Sequence, residues 1–395
     1  MRPDGTREPG RQVMDDGNEV VEGIRKCFAS VPDPRVVGRC SHLLIDILTI
    51  TILAVICGAD DWTDIEVFGR VRKSWLQEFL ELPNGIPSHD TFRRVFELLE
   101  RNRFAMALLQ WTQALQEATG SDLIAIDGKT LRRSHRKRGG LAALHLVTAW
   151  SSENGLTLGQ FATEDKSNEI TAIPELLKLL NLKGCTVTID AMGCQKEIAA
   201  GIRDRKANYV LAAKENQPHL YEDLQRHFDA VLENEASLPA AQHHETNEKG
   251  HGRQEQRFYY STPVPESLRN SEAWRDIQSV GCAIGHTLRE GRETGLVRYF
   301  ISSLKPDAKR LGTAVRRHWS IENSQHWVLD IAFREDDRRQ QARHGASNLA
   351  TVRRLAVSLL RQDKTITRGA KAKRMVAALE PKYLLRVLKN ADFDA

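Results

Sequence analysis

No C-x-x-C pair and no zinc-binding spacing occurs among the six cysteines, at positions 27, 40, 57, 185, 194 and 282. A cysteine-held metal ribbon is thereby excluded, and the six read as buried thiols in a reducing compartment. Nor is any apolar run long enough for a membrane span, which needs roughly 20 residues. The longest, "LLIDILTITILAVIC" (43–57), contains Asp46 and reads as a core helix, so no membrane association is expected. Internal repeats and low-complexity tracts are absent, which excludes a repeat array. The polar start "MRPDGTREPG" shows no signal-peptide pattern, and residues 1–20 read as a disordered tail.

What is present is an ordinary soluble composition. The 395 residues are 41% hydrophobic and 28% charged, enough for two or three domains, each with its own core. The net charge is only +5, but the basic residues cluster, at 129–138, in "REDDRRQQARHG" (334–345) and in "TRGAKAKR" (367–374). One such block usually marks a solvated face. Three together point toward a polyanionic partner, most simply nucleic acid.

Residues 21–118 read as a helical domain. After "DPR" (33–35) come the apolar run, "TDIEVFGRVRKSWLQEFL" (63–80) and "SHDTFRRVFELL" (88–99). In the last, Ser88 is the expected N-cap, and Phe92, Val95, Phe96 and Leu99 keep helical spacing. Because it bears Arg93 and Arg94, this helix is either a recognition helix of helix-turn-helix type or one member of a three-helix packing domain. From about residue 121 the pattern changes to strands: "DLIAID" (122–127), "ALHLVTAWS" (143–151), "LTLGQFAT" (156–163), "CTVTID" (185–190) and "YVLAAK" (209–214). Helices at 167–180 and 194–205 alternate with the later ones. The order predicts an α/β domain over 119–345, a mixed sheet with helices on its faces. Within it, about 215–310 reads as a β-rich insertion, and 346–395 as a basic helical tail.

Two strands share one local design: "LIAI" then Asp127 and Gly128, and "TVTI" then Asp190 and Ala191. Singly, each acid reads as a turn cap. Ending at one sheet edge, the pair would put two like charges in one crevice, which is unfavourable unless a cation lies between them. Oxygen-only ligands suit Mg²⁺, with Mn²⁺ as substitute. A third acid is expected from the helix at 316–333, where His318, Glu322, His326 and Asp330 recur every four residues, a drift of about 40° per step. Trp319, Ile321, Trp327, Val328, Leu329 and Phe333 make that helix apolar nearly all round, so it reads as buried, with both tryptophans in the core. Weak acid–histidine pairs on a solvated face, or a zinc site from His318, Glu322 and His326, are the alternatives.

The motifs "GADDW", "PSHDTFRRVF", "IAIDGKTLRRS", "KSNEITAIPELL", "TIDAMGCQKEIA", "YVLAAKENQP" and "RRHWSIENSQHWVLDIAFRED" together resemble the H-repeat-associated insertion-sequence transposases of the Asp-Asp-Glu class. The resemblance covers roughly residues 25 to 375. It implies a ribonuclease-H-like catalytic domain with a β-rich insertion between the second and third acids, in an enzyme of the bacterial cytoplasm and nucleoid. The family's acids fall on Asp127, Asp190 and Glu322, as catalytic residues and ligands of two Mg²⁺ ions. The implied reaction is cleavage at transposon ends followed by strand transfer into target DNA. A metal-dependent nuclease without strand transfer and a catalytically decayed DNA-binding relative are the alternatives. Implied partners are double-stranded DNA, at terminal inverted repeats and target, and a second copy of the chain in a synaptic homodimer.

Related insertion-sequence transposases carry Tyr, Arg and Lys at fixed spacing around the glutamate. Here those positions hold Val315, His318 (with Arg317 beside it) and Leu329. Arg316, Arg317 and His318 are the available phosphate-clamping substitutes. Lys129, Arg132 and Arg133, with Arg136, Lys137 and Arg138 behind them, are expected to face DNA phosphate beside Asp127. Lys214, Asn216 and Gln217 are expected at the substrate end, and Arg253 and Arg257 on the insertion.

Overall fold

The computed structural model describes residues 9–36, 38–107, 111–112, 123–134, 143–163, 169–234, 239, 242–250, 253–289, 292–337 and 343–389. The chain forms two units, one of Met1–Gly120, Gly128–Lys166 and Glu322–Ala395, the other of Ser121–Asp127 and Ser167–Ile321. Arg136, Lys137 and Arg138 lie outside the described residues.

In the first unit, helix α1 (Pro9–Phe28) occupies part of the stretch that reads as disordered. Its Asp16 and Glu19 pair with Lys389 at 2.7 and 2.6 Å, and Val20, Ile24 and Phe28 are buried, so the segment is held at both its polar and apolar faces. The apolar run forms α2 (Leu44–Cys57), buried from Asp46 to Ile56 as expected of a core helix. Asp46 accepts the Leu82 N–H at 3.1 Å, which gives the buried acid a partner. Gly58 ends the helix at φ 119°, a left-handed position that suits glycine, with its N–H returned to the Ala54 and Val55 carbonyls. Helix α3 (Trp62–Val71) starts on an Asp61 cap, α4 is Lys73–Leu76, and α5 (His89–Leu98) starts on Ser88 as its sequence predicts.

The second unit begins with β1 (Leu123–Thr130), which runs on into the first. Strands β2 (His145–Ser151) and β3 (Leu156–Thr163), which belong to the first unit, form an antiparallel pair. Helix α6 is Glu169–Leu179, and β4 (Thr186–Ile189) pairs parallel with β1. Helix α7 (Lys196–Asp204) leads to β5 (Asn208–Ala213), parallel to β4. After α8 (Pro218–Glu233) come β6 (His243–Gly250), β7 (Arg253–Pro263), β8 (Ser279–Arg289) and β9 (Arg292–Ser302). The strand order is β3-β2-β1-β4-β5-β9-β8-β7-β6. A hairpin beside parallel β1–β4–β5 makes the fold ribonuclease-H-like. The β-rich stretch is four antiparallel strands that extend the sheet through β9 pairing with β5, rather than a separate subdomain.

Helix α9 (Ala308–His318) lies on this sheet, its Leu311, Ala314 and Val315 clustered with Leu123, Val210, Tyr259 and Phe300. Two glycines permit the close approach: a Cβ on Gly281 would stand 2.5 Å from Leu311, and one on Gly312 2.9 Å from Tyr259. The chain returns to the first unit through a π-helical turn, Glu322–His326, then α10 (Trp327–Ala332). Helices α11 (Arg343–Gln362), α12 (Ala370–Leu379) and α13 (Pro381–Lys389) follow. They are no appended tail. Helix α11 packs on α2, α5 and β3, with Leu349, Val352, Leu355 and Leu359 buried.

Candidate active site

In the second unit, β1 and β4 run parallel with Ile126 opposite Ile189. Carried one position further, this register brings Asp127, within β1, beside Asp190, just past the carboxyl end of β4, on strands about 4.8 Å apart. That end of parallel strands is where open α/β sheets bind ligands. Both acids are half-buried. The turn-cap reading also holds for Asp190, whose Oδ1 accepts the Met192 N–H at 3.0 Å at the start of a short 3₁₀ turn. Asn216 donates to the Ala191 carbonyl at 2.7 Å and Gln217 to that of Cys194 at 3.0 Å. These side chains therefore brace the Asp190 turn. Cys194 in that turn is fully buried, and burial pushes its thiol up to about 12.

His318 ends α9 with its Nδ1 3.0 Å from the Thr188 hydroxyl, two residues before Asp190. The ring thus ties the helix end to β4. Trp319 follows with the Arg298 guanidinium 4.2 Å above its ring.

In the first unit, Glu322 opens the π turn. Such single turns recur at functional sites because they break the helical phase locally. His326 Nδ1 lies 3.5 Å from Glu322 Oε2. The turn is pinned by Gln325, whose amide donates to Thr157 Oγ1 at 2.5 Å, and by Arg361, which donates to the Ser324 carbonyl at 2.9 Å. The expected all-round burial fails here. Glu322 is 52% exposed, and Trp319, Trp327 and Ile331 are 41%, 60% and 57% exposed. Apolar composition implies burial on every side, yet α10 buries Leu329, with Phe333 just past its end, and leaves Trp327 and Ile331 open.

Lys129 is a second correction. Only 8% exposed, its Nζ lies 2.5 Å from Asp330 and 3.9 and 3.8 Å from Glu335 and Asp336. Burial works to raise the Glu335 carboxyl, but the Arg354, Arg353 and Lys129 charges hold it below the usual carboxylate range. Lys129 is thus a buried counter-ion to these three acids, where its sequence context reads as solvent-facing. Arg354 pairs with Glu335 at 2.8 Å with both side chains inaccessible.

The remaining cations are more accessible. Arg132 is 83% exposed and 3.4 Å from Asp336, while Arg133 donates to the Asp337 carbonyl. Lys214 and Arg94 are exposed. Arg93 is spanned by Asp90 and Glu97, and α5 buries Phe92, Val95 and Phe96 against α3 and α11, which favours the packing role for this helix. Arg257 is 19% exposed between Glu248 and Glu255, and Arg316 donates to Glu248 at 2.6 Å. The Arg253 side chain lies outside what the structure describes; Arg317 is partly exposed. All six thiols are free, but Cys40 is exposed where its sequence context reads as buried. No sequence signal marks Thr157, Thr188, Gln325 or Arg361, because their partners are remote in the chain.

Residues 118–359 match the family described as "Transposase DDE domain", and residues 25–112 the family described as "DDE_Tnp_1-associated". "Putative transposase YncI" of Escherichia coli O157:H7 is 41% identical over 94% of this chain and 95% of its own. "H repeat-associated putative transposase YhhI" of E. coli K12 is 37% identical over 91% and 96%. "Inactive transposase YbfQ" of K12 is 48% identical, over 16% of this chain and 76% of its own. A solved piggyBac transposase synaptic complex with hairpin DNA aligns at 10% identity and a TM-score of 0.42, over 96% of this chain and 82% of that one, too slight a likeness to add to the reading. Among the described residues, no helix is long and apolar enough to cross a membrane. With its associated helical region ahead of a ribonuclease-H-like sheet, the chain belongs to the transposase DDE-domain family, beside the H-repeat-associated transposases.

Proposed function

We propose that this chain is a DNA transposase that cuts at the ends of its own element and joins the freed 3′ hydroxyl to a target duplex. The observation that supports the reading is the β1–β4 register, in which Ile126 pairs with Ile189 and Asp127 and Asp190 are the next residues on the two neighbouring chains. Two carboxylates so placed repel one another unless a cation is shared, and carboxylate oxygens suit Mg²⁺ or Mn²⁺. Asp127, Asp190 and Glu322 would hold the ions. When bound, Mg²⁺ lowers the pKa of water and stabilises charge on a leaving 3′ oxygen.

The chain's own residues supply orientation. The Ser324–Arg361 and Gln325–Thr157 bonds fix the turn that presents Glu322, and the Asn216–Ala191 bond fixes the turn after Asp190. Water attacks one phosphodiester at each element end; the 3′ hydroxyl that leaves then attacks a target phosphodiester and expels its 3′ oxygen. Arg94, Arg132, Arg133, Lys214, Arg316 and Arg317 are the candidate phosphate contacts, with Arg93, Arg253 and Arg257 as further candidates and His318 holding α9 to β4. Two ends handled together call for a homodimer at work.

Incubating the pure protein with a labelled duplex carrying its own element's end, a second duplex and Mn²⁺ tests this. Cut ends that become joined to the second duplex are expected. Cut ends without joined product would reduce the activity to that of a nuclease, and intact DNA would mark a decayed, DNA-binding relative.

A further inference from the structure

We propose that a groove in the first unit binds an unpaired stretch of DNA strand, with bases against Trp327 and Ile331 and phosphates toward Lys364, Arg368 and Lys371. This rests on the reading of the chain as a DNA-processing enzyme. The groove has a volume of about 760 Å³ and lies among the turn after β2, helix α10 and the α11–α12 junction, all within one unit. That volume falls within the roughly 300–1,000 Å³ of sites that enclose small ligands.

Its lining combines two chemistries. Trp327 and Ile331 are 60% and 57% exposed, although the short helix that bears them is well seated through Leu329. Large apolar side chains left open in a concave surface mark a binding site more often than a lone exposed residue does. Lys364, Arg368 and Lys371 are all exposed, and Arg368 and Lys371 make no ion pair among the described residues. Lys364 spends one donor on the Arg361 carbonyl at 2.8 Å, and an ammonium has three. The lining acid Asp363 is inaccessible, accepts from the Tyr383 hydroxyl at 2.9 Å, and has Lys373 at 3.8 Å and Arg386 at 3.9 Å. Its charge is therefore answered from within the fold, and Glu153 is the one exposed acid of the lining.

An indole face beside a row of cations is the arrangement that holds single-stranded nucleic acid, since every base has a π-face and every linkage a charge. A duplex keeps its base faces stacked internally and could use only the cations. An acidic peptide would likewise leave Trp327 unused. Asn323, next in the chain to Glu322, also lines the groove, so a strand seated there passes the candidate glutamate.

The test is anisotropy titration of the full chain, without divalent ion, using a labelled oligothymidylate and an abasic oligomer of equal length. Trp327→Ala should weaken the oligothymidylate at least about fivefold, with Trp327→Phe close to the parent, and should not alter abasic binding. Arg368→Ala with Lys371→Ala should weaken both oligomers and lower the salt slope by about 0.7 for each phosphate no longer neutralised. Parent-like binding of oligothymidylate by Trp327→Ala, or equal weakening of both oligomers, would overturn the proposal. These titrations read binding alone. A chain that cleaves its ends but shows either overturning result disproves only the groove, and one that binds through Trp327 but never cleaves disproves only the transposase reading.

Discussion

Replacing Lys129 by methionine separates the two roles open to the basic run behind Asp127. The structure places its ammonium 2.5 Å from Asp330 and within 4 Å of Glu335 and Asp336, at 8% exposure. Removing it leaves three carboxylates in one cluster, with Arg354, 2.8 Å from Glu335, as the close buried cation. Breaking a buried pair at one partner costs about 3–5 kcal/mol. Asp330 is 36% exposed and Asp336 19%, so solvent screens part of the loss and the lower end, about 3 kcal/mol, is expected. In urea unfolding followed by tryptophan fluorescence, the midpoint should fall by about 1 M or more for a slope of about 1–3 kcal/mol/M. The salt slope of DNA binding should not change. Parent-like unfolding together with a salt slope reduced by about 0.9 would mean that Lys129 meets a phosphate, and would refute the reasoning.

Asp223 gives an acid-stability prediction. Hydrogen bonds from Arg269 hold its carboxyl below the usual carboxylate range, and its side chain is 2% exposed. Its contribution is therefore full above the unfolded value of about 3.9 and is lost as pH falls through the depressed folded value. Asp223→Asn should flatten the drop in urea midpoint below about pH 4; an unchanged acid limb would remove Asp223 from the account. Gly281→Ala sets a Cβ 2.5 Å from Leu311, and a loss of about 1–3 kcal/mol by urea unfolding is expected, whereas no loss would show that α9 is not so tightly seated. Asn216→Ala frees the turn after Asp190, so end cleavage should fall while affinity for the element's end is kept. Weaker binding of the element's end, with cleavage of the bound DNA intact, would restore Asn216 as a DNA contact.

Local chemistry was legible in the sequence where it depends on neighbours in the chain. The Ser88 cap, the core helix around Ile50 and the twin strand–acid designs of Asp127 and Asp190 all rest on short-range pattern. What depends on remote packing was not. Lys129 reads as a solvent-facing cation beside a basic run because its acids stand some 200 residues away. Trp327 reads as core because composition cannot say which face of α10 finds a partner. Strand β6, "HHETNEKG", has no apolar alternation, and its strand character comes from pairing with β7 along its whole length. The first helix was hidden for a related reason, since Asp16 and Glu19 find their cation on α13.

The central claim, that Asp127, Asp190 and Glu322 carry phosphodiester chemistry, is tested most directly by Asp127→Asn assayed for end cleavage and for DNA binding side by side. The account predicts loss of nearly all cleavage, with binding of the element's end and its salt slope kept. Cleavage equal to the parent's would contradict it.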